Sequence, residues 1–95
     1  MLKDLAIVLR AAQLYTHAAH NALSGCTFFS DHEFAGDTYT ALESAYDSVV
    51  ERAIGTDEEL DLLDLGVKAA GIVKDLSLKN RDAIFEQLIE NENSI

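Results

Sequence analysis

Apolar residues in the first part of the chain fall at Leu2, Leu5, Leu9, Ala12, Tyr15 or Ala19, and Ala22. Steps of three and four residues put side chains on one face of an α-helix, so the pattern predicts an amphipathic helix over residues 2–23. Ser24-Gly25 should close it, because glycine accepts the left-handed conformation that commonly ends a helix. A second helix is expected to start at Ser30-Asp-His-Glu33, which fits a capping box: the serine hydroxyl and the glutamate three residues on each satisfy a backbone amide left over at a helix start. Its broad stripe of Phe34, Leu42, Ala45, Tyr46, Val49, Val50, Ala53 and Ile54 carries it to about residue 54, and Gly55 stops it.

Thr56-Asp-Glu-Glu59 reads as a second capping box, with acidic residues suited to the positive end of the helix dipole. A third helix over residues 57–75 follows. Ser77 is the expected cap of a last helix that buries Leu78, Ile84, Phe85, Leu88 and Ile89, before the polar segment Asn91-Glu-Asn-Ser-Ile95 frays. Three short connections between four helices imply antiparallel neighbours, hence a single all-α domain over residues 1–95, built as an up-down four-helix bundle with short third and fourth helices. Because the first two helices are longer, part of their apolar face is left for another subunit to cover, and a two-fold homo-oligomer is expected.

Composition agrees with helices: the chain has 95 residues, no Pro, no Trp and only 5 Gly. Seventeen acidic against seven basic residues give a net charge of −10, which repels nucleic-acid phosphate and attracts cations, so DNA binding is not expected. Asp4 and Arg10 interrupt the apolar N-terminal run, so neither a signal peptide nor a membrane span is read there. The lone cysteine, Cys26, has no internal disulfide partner, and a reducing cytoplasm is the expected location.

Two of the three histidines, His20 and His32, flank the first turn. In an antiparallel hairpin they lie at the same end and their imidazoles converge as potential ligands for iron, zinc or copper. Carboxylates are the natural complement for iron, and Asp47 and Glu51, one turn apart on the second helix, are the strongest candidates. His32 and Asp47 are separated by about 22 Å along a straight helix at 1.5 Å per residue, so one chain cannot bring them to one ion. Two copies of the second helix packed antiparallel about a two-fold axis would set the His32 end of one beside the Asp47 and Glu51 region of the other.

The series Thr16-His-Ala-Ala-His20, Gly25, Phe28-Phe29, His32-Glu33, Tyr39, Asp47 and Glu51-Arg52 resembles the Dps family of ferritin-like mini-ferritins over roughly residues 9 to 55. The resemblance implies a ferritin-like bundle. It also implies a dimer-interface site that binds iron and oxidises Fe(II), with His20 and His32 from one chain and Asp47 and Glu51 from the other, in the service of iron storage or peroxide detoxification. The family usually carries a carboxylate four residues after the second histidine. Here Gly36 stands at that place and Asp37 follows it, and Asp37 substitutes only where the helix is locally distorted, since one residue turns a side chain by about 100°.

Asn21 replaces the aromatic residue that usually follows the first histidine. The second half is shorter than the family's and lacks a basic tail, so neither a closed cage nor DNA binding is implied. His17 is expected as an exposed polar residue or a supporting partner of the site. Phe28 and Phe29 are expected to anchor the turn, and Tyr39 and Tyr46 to serve as core or interface aromatics. The alternative is a non-enzymatic helical interaction protein that keeps the hairpin without iron chemistry; a zinc or other divalent-ion site without turnover is a third reading.

Overall fold

The computed structural model describes residues 2–23, 28–56 and 58–95. Among them the chain is all-helical: α1 is Leu2–Ala22, α2 Phe28–Gly55, α3 Leu62–Val73 and α4 Arg81–Ser94. The expected stop at Ser24-Gly25, the cysteine Cys26 and the position Asp57 lie outside the described residues, as do the side chains of Phe28 and Phe29. No described helix is long and apolar enough to cross a membrane.

α1 is the central element, and each of the other three helices packs against it. Its apolar stripe explains only part of this: Leu9, Ala12, Tyr15 and Ala19 are buried as the periodicity requires, but so are Ala11, Gln13 and Thr16. A helix covered on several sides buries polar residues as well, and these need partners. Gln13 accepts a hydrogen bond from the Arg10 guanidinium at 2.6 Å, and the Thr16 hydroxyl donates to the Ala12 carbonyl at 2.7 Å.

The core divides into two clusters along α1. Near its start Ala6 and Leu9 meet Tyr46 of α2 and Leu65 of α3; near its end Tyr15, Ala19 and Leu23 meet Ala35 of α2 and Ile84 and Leu88 of α4. These meetings fix the directions. α2 and α4 run against α1 while α3 runs with it, so successive helices alternate. Alanines at Ala6, Ala12, Ala19, Ala35, Ala53 and Ala69 hold much of the buried surface, which lets backbones approach but leaves the core thin in large side chains.

Three helix starts differ from the expected ones. α2 begins at Phe28, so Ser30 is inside the helix and caps nothing. Thr56 turns backward: its hydroxyl donates to the Arg52 and Ala53 carbonyls at 3.0 and 3.1 Å, closing the end of α2 after Gly55. α3 therefore starts later, capped by Asp61, whose carboxylate accepts from the Asp64 amide at 3.1 Å. Ser77 likewise serves a turn, accepting from the Lys79 amide at 3.2 Å, while Asn80 caps α4 by accepting from the Ala83 amide at 2.9 Å. Serine and threonine hydroxyls bond locally in either direction, whereas the Asx caps used here rank at least as high at helix starts. The polar segment from Asn91 is helical as far as Ser94.

The expected stripes are also only partly buried. Phe34 and Ile54 of α2 and Ile89 of α4 are exposed, as are Leu63 and Val67 on the outer side of α3. A short helix apolar on opposite sides, as α3 is, normally has both sides covered.

Candidate functional site

His20 and His32 come together where α1 ends and α2 begins. Their rings stack at 3.6 Å between centroids with planes 28° apart. The His32 Nδ1 lies 2.7 Å from the His20 carbonyl oxygen. A carbonyl only accepts, so Nδ1 carries the hydrogen, and in the neutral ring Nε2 then carries the lone pair. This is how a main-chain acceptor orients an imidazole in metal sites. The His20 Nδ1 is buried without a hydrogen-bond partner.

Gly36 explains how the stack is accommodated. It lies one turn after His32 on the same side of α2, and a Cβ there would come within 3.2 Å of the His20 Cδ2 and Nε2. The imidazole of His20 thus occupies the space that a side chain at position 36 would need. Asp37 is turned away from this face; it lines a recess with Phe34, Thr38, Ala41, Leu42 and Glu92 on the α4 side, and α2 is an unbroken helix through it.

Two further rings complete the cluster. Tyr39 meets His20 edge-on at 5.3 Å, and the exposed His17 stacks on Tyr39 at 4.4 Å. Tyr39, expected only as a core or interface aromatic, joins the histidines because it lies seven residues after His32 and therefore two turns along the same face. Asp31 and Arg81 carry no such signal in the sequence. Asp31 points the other way from its neighbour His32, is buried, and receives a two-pronged bond from the Arg81 guanidinium at 2.6 and 3.2 Å.

Asp47 and Glu51 share one face of α2, and both are exposed. The apolar residues from Ala45 to Ile54 wrap around α2, and these two positions fall on its outer side. Arg10 is engaged elsewhere, over the Tyr46 ring at 4.5 Å and with Gln13. Because α2 is continuous from His32 to Glu51, imidazoles and carboxylates stay apart within the chain, and among the described residues no three His, Cys, Asp or Glu side chains converge as a metal group.

Among the described residues the candidate ligands that meet here are therefore imidazoles, His20 stacked on His32 with His17 6.3 Å from His20, and Asp47 and Glu51 lie elsewhere on α2. Imidazole lone pairs lie in the ring planes, so an ion about 2 Å from each nitrogen cannot lie in both of two nearly parallel, stacked planes. Sharing an ion requires one ring to leave the stack. His20 is the ring with a buried, unpartnered nitrogen, and burying such an atom costs about 1–3 kcal/mol. Comparison with protein-family models, curated proteins and solved structures found no match to this chain.

Proposed function

We propose that the chain is a Dps-like, ferritin-like protein that binds Fe(II) between two copies of α2 and oxidises it with peroxide or oxygen. The observation that carries this reading is the convergence of His20 and His32, with the His32 ring oriented by a main-chain carbonyl. The alternating helix directions and the exposure of Asp47 and Glu51 support it, since those carboxylates stay accessible to a second copy.

Iron is the substrate here. Each Fe(II) gives up one electron, and peroxide takes two electrons and two protons to become water, so two Fe(II) are consumed per peroxide. The chain's own residues hold and orient: His32 presents Nε2, His20 turns from the stack to present a nitrogen, and Asp47 and Glu51 of a paired copy supply the hard oxygen ligands that iron favours.

Mixed chains test the shared site. His32→Ala and Glu51→Ala chains each lack one half, whereas a mixed dimer regains one intact site of its two. Random one-to-one mixing should therefore restore about a quarter of the wild-type Fe(II) capacity, because half the dimers are mixed. Capacity is read by anaerobic titration and then by Fe(III) absorbance after peroxide. No recovery above either parent would end the two-chain assignment.

A second reading is favoured by Gly36 and the face-to-face histidines: a helical interaction protein that keeps the hairpin without iron chemistry. Folded wild-type protein that takes up no divalent metal, Fe(II) and Zn(II) included, would eliminate the iron and divalent-ion readings and leave this one.

A further inference from the structure

A groove of about 480 Å³ runs between α2 and α4 with α1 as its floor. Phe34 and Leu42 line one wall, Phe85, Ile89 and Ile95 the other, and Ala12 the floor. α2 and α4 both pack on α1 and meet each other at one end, through the Arg81–Asp31 pair and the Phe34 and Phe85 rings, 5.7 Å between centroids; beyond that contact the groove stays open. The walls stay open to solvent, with Phe34 52% and Ile89 62% exposed. Large apolar side chains gathered at one groove mark a place that something covers.

The polar groups around it define the occupant. Glu92 lines the groove, and an adjoining recess is lined by Glu92 again and by Asp37; the Arg81 guanidinium over the Phe85 ring at the other end is already paired with Asp31, so the excess charge is that of two carboxylates. The chain as a whole carries −10, which opposes a second acidic copy. Beside the groove, the Asn91 Oδ1 accepts from the Gln87 Nε2 at 2.7 Å, one turn back along α4.

Length completes the description. From Phe85 to Ile95 the wall extends about 15 Å at 1.5 Å per residue, and apolar anchors at i, i+4 and i+7 of a helix span about 10.5 Å. We propose that this groove docks one amphipathic helix of a basic partner, with its apolar anchors between α2 and α4 and its cations against Asp37 and Glu92. Phe34 and Leu42 lie about 140° around α2 from Asp47, so the site stays open if α2 pairs with another copy and does not depend on the iron reading.

The probe is a synthetic 14-residue Leu/Lys peptide with leucines at helical spacing and one Trp among them. The protein has no Trp, so peptide emission reports burial without background. Expected are one-to-one saturable binding with a blue shift, no comparable binding of a scrambled peptide of the same composition, and weakening in high salt. Phe34→Ser and Ile89→Ser keep the charge constant and alter exposed positions; each should weaken binding about tenfold, the scale of losing an interface anchor. Asp37→Asn with Glu92→Gln should weaken it and flatten the salt dependence. Equal binding of the scrambled peptide, or affinity unchanged in both serine variants, overturns the proposal. So does a wild-type oligomer that Ile89→Ser dissociates without peptide, which would give the groove to a second copy. Uptake of decanol with no uptake of peptide would give it to a small amphiphile and overturn the proposal equally.

Discussion

Replacing Gly36 with alanine tests the packing of the histidine pair directly. In a helix interior alanine is favoured over glycine by about 1 kcal/mol. Against that gain, the new Cβ would lie 3.2 Å from two atoms of His20, its only near contacts outside the local turn of α2 among the described residues. The obstacle is one side chain, so the ring has only to move by a few tenths of an ångström. That motion weakens the stack on His32, and an aromatic pair is worth about 0.5–1.5 kcal/mol. The two terms nearly cancel, and Gly36→Ala should change unfolding free energy by less than about 1 kcal/mol in urea titrations followed by circular dichroism. The His20 and His32 Cε1–H resonances should shift while those of His17 move less. A loss above about 2 kcal/mol, the range of an overpacked core, would show that the His20 ring is locked in place and would refute the reasoning.

Arg81→Leu should destabilise by about 2 kcal/mol, because the Asp31 side chain is only 6% exposed and loses its guanidinium; the figure is discounted because Arg81 is itself 52% exposed. Arg81 also sits over the Phe85 ring at 4.8 Å, so Arg81→Lys should recover only part of the loss, and a change below about 0.5 kcal/mol would mean the buried carboxylate is satisfied without it. Tyr15→Phe removes a hydroxyl that donates to the Ser77 carbonyl at 2.7 Å and should cost about 1 kcal/mol at pH 7. Burial raises the Tyr15 pKa above its ordinary 10.0. The folded state therefore keeps a proton that the unfolded chain releases first, so this contribution is complete below pH 10 and is lost as pH climbs through the raised value. Tyr15→Phe should flatten that alkaline decline, and an unchanged slope between pH 9 and 11 would assign it elsewhere.

Element number and type were legible because apolar periodicity reports a helix directly. The stop at Gly55 was legible for the same local reason. Helix starts were misjudged where a hydroxyl residue preceded an acidic run, as at Thr56. That hydroxyl had a choice between the carbonyls behind it and the amides ahead, and the end of α2 supplied the carbonyls. Phe34, Ile54 and Ile89 fit helical stripes but stay exposed, since a stripe wider than the contact with α1 leaves its margins uncovered. At the site, the meeting of His20 with His32 followed from hairpin geometry alone. The pairing of Asp31 with Arg81 did not: the residues are fifty positions apart, and only the return of α4 along α2 brings them together.

The distribution of charge on α2 ties the proposed dimer to its ion. Glu33, Glu43, Asp47 and Glu51 are all exposed, and helical spacing puts them on the outward side of the same helix. The midpoint between position 32 and positions 47 to 51 falls at Thr40–Ala41, with Gly36 and Ser44 one turn either side of Thr40, so small residues lie where two antiparallel copies would cross. The Thr40 hydroxyl already donates to the Gly36 carbonyl at 2.9 Å, so covering it leaves no donor unpaired. Yet pairing two such faces also brings acidic side chains toward one another, and like charges in a desolvated interface repel strongly. In such a pair a divalent cation would offset that repulsion at the two places where His32 of one copy would face Asp47 and Glu51 of the other. In the proposed arrangement, metal binding and association of the two copies are therefore a single coupled equilibrium, and the carboxylates that oppose the apo dimer are the ligands that hold the loaded one.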